Sequence, residues 1–122
     1  MAKFASDFML DASLSVVSKA TRMVALVGHP ASFSAADAGK LVEAVMVPAD
    51  FIVSNGDISG RKVAVAAKLG LNVLTPGTAD HVALLDDVGS RLLYVTTCPD
   101  LLMHVGGTVN IATWKVEIGD LI

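Results

Sequence analysis

Apolar residues recur along this chain mostly at every second position, and in only one stretch at every third or fourth. The clearest period-two run is Thr108 to Ile118, where Ala112, Trp114, Val116 and Ile118 fall on one face and Thr113, Lys115 and Glu117 on the other. That spacing predicts a strand with one side buried and one side wet. Upstream, His81 to Asp86 and Arg91 to Thr97 are short apolar runs separated by the turn formers Asp87 to Ser90. Such a pair predicts a hairpin. The three runs are expected to be neighbouring strands at the heart of an antiparallel sheet, the last anchored by the only tryptophan.

The helical exception lies near the start. After a short arm, residues 1–5, Ser6 reads as the N-cap and Asp7 suits the positive end of the helix dipole. Leu10, Leu14 and Val17 then form a stripe that Met9, Val16 and Ala20 widen, which predicts an amphipathic helix over residues 6–20. Arg22 to Val27 is long enough for a strand and is closed by Gly28, His29 and Pro30. Ala31 to Gly39 reads as a loop with room for one helical turn capped by Ser34. Lys40 to Val47 alternates weakly until Pro48, and Phe51 to Val53 is brief and apolar. Ser54 to Gly60 is the strongest turn signal. Val63, Val65 and Ala67 then alternate with Lys62, Ala64, Ala66 and Lys68, and Leu71 to Thr75 adds a further strand before Pro76. With no repeat or linker, the pattern predicts a single domain over 1–122: an antiparallel β region over 22–118, built as a sandwich or flattened barrel, with one N-terminal helix.

Composition sharpens this. Of the 122 residues 53% are apolar and 17% charged, against about 25% charged in an ordinary soluble domain. Either small Ala, Val and Gly side chains inflate the apolar share, or partner subunits cover part of the surface. A net charge of -3 gives no basic field for phosphates, so a nucleic-acid partner is not expected. No apolar run is long enough to cross a bilayer and no signal peptide is evident, so no membrane partner is expected either. The lone Cys98 allows no internal disulfide and suits a reducing compartment such as a cytoplasm.

Candidate chemistry is thin. Asn55 to Gly60 imitates the start of a calcium loop, but Ala66 stands where the bidentate carboxylate belongs. His29, His81 and His104 lack metal-pair spacing, and His81 fits a half-buried, hydrogen-bonded role. Asp80, Asp86 and Asp87 bracket a strand, and Cys98 with His104 matches no nucleophile motif. The glycines at 56–60 and 106–107 match no phosphate loop. Neither catalytic, cofactor nor metal residues are expected, and the chain is not expected to be an enzyme.

Four segments nevertheless resemble a family of small virion proteins of tailed bacteriophages. They are Ser6 to Leu14, Asp57 to Val63, the hairpin Ala79 to Asp86 with Arg91 to Thr97, and Trp114 to Asp120. The resemblance implies a head decoration, or cement, protein made in the host bacterial cytoplasm. It would bind the major capsid protein on the virion surface as a homo-oligomer, with a trimer at local threefold positions carried by the same analogy. Lys3, Phe4 and Phe8 are the candidate contact residues, since aromatics on an unanchored arm gain energy by binding; the alternative is that Phe4 and Phe8 simply cover the end of the helix. Alternative readings are another virion part (tail, connector or head-completion protein) or a small-ligand-binding domain.

Overall fold

The structure, a computed structural model, describes residues 7–58 and 60–118, with side chains from Met9 onward. The chain is mainly β, and every strand pairing in it is antiparallel. Helix α1 (Asp7–Val17) buries the expected stripe of Leu10, Leu14 and Val17, and leaves Met9 and Val16 half exposed. It stops short of Ala20 because the last turn tightens: Lys19 N–H donates to the Val16 carbonyl and Ala20 N–H to that of Val17. Thr21 N–H then donates to the Leu85 carbonyl at 2.8 Å, which carries the chain into the sheet.

Strand β1 (Arg22–Leu26) follows, and then a second helix, α2 (Phe33–Gly39). The cap of α2 is Ser32, two residues before the serine the sequence suggested, and its hydroxyl accepts from Ala35 N–H. Strand β2 (Lys40–Val45) leads through one 3-10 turn at Pro48–Asp50 to β3 (Phe51–Asn55), β4 (Arg61–Val65) and β5 (Lys68–Asn72). The turn between β3 and β4 closes with Gly56 N–H on the Gly60 carbonyl, Gly60 taking a φ of 68° that a side chain would disfavour. The hairpin β6 (Gly77–Asp86) and β7 (Arg91–Met103) is longer than its apolar runs, and β8 (Thr108–Ile111) and β9 (Trp114–Ile118) end the described chain.

Three sheets result, in the orders β2-β1-β6-β7, β3-β4-β9 and β5-β8. On one face of the four-stranded sheet, Met23, Ala44, Val82 and Leu84 meet Phe51, Val63, Val65 and Val116 of the three-stranded sheet, with Leu14 and Val17 of α1 closing the side. On the other, Val24, Leu26, Ala83 and Leu85 receive Ala36 and Phe33 of α2. Burial on both faces is why β1 and β6 read as nearly continuous apolar runs and not as alternation.

The structure also corrects the expected sheet arrangement. Sheets face one another but do not close, so the barrel alternative is set aside: β2 and β7 remain edges of one sheet, β3 and β9 of the other. The run Thr108 to Ile118 is not one strand beside the hairpin. It breaks at Ala112 and Thr113, the Thr113 hydroxyl donates to the Val65 carbonyl at 2.7 Å, and the two halves join β5 and β4 respectively. Ala112, expected on the buried face, is exposed.

Candidate functional site

Where β8 passes into β9, the two main sheets separate and leave a cavity of about 390 Å³. Its floor is made of small side chains of the four-stranded sheet, Ala25, Ala79 and Val82, and its walls come from Thr96 to Pro99, Leu101 and Met103 of β7 and from Asn110 to Lys115. Trp114 closes one side by stacking on Tyr94, ring centroids 6.0 Å apart and planes at 24°. Its indole N–H is buried without a hydrogen-bond partner among the described residues. A cavity of this size with an apolar floor and a threonine rim accommodates an uncharged, largely apolar group. The one cation in its wall, Lys115, is engaged by Asp57 and Glu117.

Charged groups gather in two further places. Arg22, at the start of β1, donates to Asp87 through Nε and NH2, to Asp37 through NH1 at 2.8 Å and to Glu43 through NH1 at 2.9 Å. Its guanidinium also lies 6.0 Å from the Phe33 ring centroid. These contacts hold α2 to the sheet and the β6–β7 turn to β1, and they raise the Arg22 pKa, the Asp87 bond contributing most. In the second place, Arg61 bonds Asp11 of α1 at 2.7 Å and Asn55 at 2.6 Å, which pins the helix to β4.

The calcium-like turn is committed elsewhere. Asp57 is bonded by Lys115 and Lys62, its backbone N–H donates to Glu117, and Asn55 is taken by Arg61. The two ammonium groups, Lys115 first, hold the Asp57 carboxyl down from its ordinary 3.8 to about 2. A carboxyl depressed on folding stabilises the protein above its unfolded pKa and loses that contribution as the pH falls through its folded one. The melting temperature is therefore expected to drop as pH falls from about 4 to about 2, with a smaller drop over that window in Asp57→Asn. Equal drops in both proteins would remove Asp57 from the acid response.

His81 is half-buried and its Nδ1 lies 2.7 Å from Asp80 Oδ1, as the sequence suggested, with the His29 ring edge-on at 6.0 Å. Asp80 also accepts from Gly28 N–H, and the His81 bond followed by this one lowers its pKa. Asp86 accepts from the N–H groups of Val88 and Gly89 in the hairpin turn. Cys98 sits within β7. Burial, and then Asp80 and Asp100 nearby, push its thiol pKa up, which lowers its thiolate fraction and its reactivity. His104 stands exposed past the end of β7 and makes no bond to Cys98. Among the described residues no three His, Cys, Asp or Glu side chains come together to hold a metal ion, and no helix is long and apolar enough to cross a membrane.

Of the candidate contact residues, Lys3 and Phe4 lie outside the described residues, as does the side chain of Phe8, whose backbone belongs to α1. Sequence reasoning missed the cavity altogether, because its walls come from β1, β6, β7 and the β8–β9 link. One signal pointed there: the apolar positions sit at odd numbers in Val109 and Ile111 and at even numbers from Trp114 onward, a slip that marks a break. Fold and site together define a mainly β, antiparallel protein with an open inter-sheet cavity and unpaired sheet edges. No family model, no curated protein and no solved structure matches the chain.

Proposed function

We propose that the chain is a structural virion protein, a decoration or cement protein that binds the outside of a phage capsid lattice and reinforces it. The observation that carries this reading is the apolar surface. Ile58 and Val88, at the tips of two different turns, are 93% and 91% exposed, and Val45, Leu69, Leu102 and Val105 are exposed as well. Branched and aliphatic side chains held outward at turn tips gain free energy when neighbouring subunits cover them. The resemblance of four segments to small phage virion proteins supplies the kind of neighbour, the major capsid protein. On this reading the protein does no chemistry, and attachment rests on many weak contacts acting together across the lattice.

The purified protein is expected to co-sediment with capsids that lack it and to saturate at a large number of copies per particle, in a fixed ratio to the major capsid subunits. Deleting residues 1–5, which carry Lys3 and Phe4, is expected to weaken that binding without unfolding the domain. Binding of only a few copies per particle would sink the decoration reading in favour of a tail, connector or head-completion part. The inter-sheet cavity favours one second reading, a small-ligand domain. That reading requires a rise in melting temperature with an uncharged apolar ligand.

A further inference from the structure

Two breaks in strand pairing build the inter-sheet cavity. In β7 the register steps from His81 opposite Thr97 to Ala79 opposite Leu101, so residues 98–100 bulge against Asp80 alone. Pro99, with no N–H to give to a ladder, falls inside that bulge. The second break is the one at Ala112 and Thr113. Thr97, Pro99, Ala112 and Thr113 line the cavity and are exposed, whereas Ala25, Ala79, Val82 and Met103 line it and are buried. The cavity is thus open at the two breaks and apolar at its base.

Most polar groups of the wall are already engaged. The Thr113 hydroxyl donates to the Val65 carbonyl, that of Thr96 to the Thr97 carbonyl, and Asn110 accepts from Gly70 N–H. Lys115 is held by Asp57 and Glu117, so its charge is already matched. Asp80 and Asp100 act on Cys98 in the wall with a field that opposes an anion. Among the described residues one buried side-chain polar atom has no partner, the Trp114 indole nitrogen. An indole N–H only donates, and a buried donor left unpaired costs free energy that an arriving acceptor relieves. That acceptor has to be a neutral oxygen. A hydroxyl would bring a proton that needs a further acceptor of its own, and a carbonyl oxygen brings none.

We propose that the inter-sheet cavity binds an uncharged, mainly apolar small molecule whose carbonyl oxygen accepts the Trp114 indole N–H. Such a site builds on the small-ligand reading of the cavity and does not depend on capsid attachment. An apolar cavity of about 150 Å³ takes one benzene, about 25 Å³ per carbon, so a cavity of about 390 Å³ holds roughly fifteen non-hydrogen atoms. Benzophenone is of that size, and diphenylmethane has the same two rings without the oxygen. Titration calorimetry on the wild-type protein should give benzophenone a dissociation constant about tenfold lower than that of diphenylmethane. Trp114→Phe, with circular dichroism to show that it is folded, should still bind diphenylmethane and should show no preference between the two. If that variant unfolds or binds neither probe, the indole N–H resonance of the chain's only tryptophan decides: benzophenone should carry it further downfield than diphenylmethane does. Equal affinities in the wild type, a preference that survives in Trp114→Phe, or equal shifts of the resonance overturn the proposal and leave the small-ligand reading standing. Binding of neither probe to the wild-type protein overturns both.

Discussion

Leu84→Ala is expected to destabilise the protein by about 3 to 4 kcal/mol, in the upper part of the range for buried leucines. Leu84 has no exposed surface and stands in β6, opposite Met23 on one side and Tyr94 on the other. It points into the core where the four-stranded sheet meets Val63, Val65 and Val116. The hole left behind cannot easily collapse, since its walls are strands from two sheets whose spacing the remaining side chains fix. Helix α1 shares that cluster through Leu14 and Val17, so part of the cost would appear as a loosened helix. Urea unfolding gives the number, with Leu102→Ala as the control: Leu102 is 60% exposed and should change stability by less than about 0.5 kcal/mol. A loss under about 1 kcal/mol at Leu84 would mean the two sheets do not pack as described.

Local pattern carried much of the fold and little of the site. The stripe of Leu10, Leu14 and Val17 marked α1, and Val63 with Val65 marked the inward face of β4, because in both cases burial is one-sided and its period survives in the sequence. Strands β1 and β6 were legible as strands, yet their order was not. A strand buried on both faces has no period to say which face meets which sheet. The run from Thr108 to Ile118 misled for a different reason. Its break at Ala112 and Thr113 holds neither Gly nor Pro, so nothing punctuates it, and the change of face shows only as a one-residue slip in the apolar positions. Arg22 illustrates the rest. Its partners Asp37, Glu43 and Asp87 come from α2, β2 and the β6–β7 turn, and no spacing along the chain announces a cluster assembled by three separate connections.

Removing that cluster's cation is the second large effect. Arg22→Met keeps an unbranched stem of similar course but leaves Asp87, Asp37 and Glu43 without the charge that holds them together, although Asp37 retains Lys40 at 3.1 Å. Breaking a fully buried pair costs about 3 to 5 kcal/mol. Here the carboxylates are 38–44% exposed and regain water, so about 2 to 3 kcal/mol is expected at neutral pH. The loss should concentrate in α2, seen as faster exchange of the Ala35 and Ala36 amides, because Arg22 links that helix to the sheet through both Asp37 and the Phe33 ring. The pH dependence separates this cause from simple loss of packing. Arg22 holds the Asp37 and Asp87 carboxyls below their ordinary 3.8, so the stability they contribute is present above that value and fades as they protonate in acid. The gap between wild type and variant should accordingly be widest near neutrality and narrow as the pH falls below about 4. A gap that stays constant across that window would assign the effect to the lost side-chain volume and leave the ion cluster without a share in holding α2.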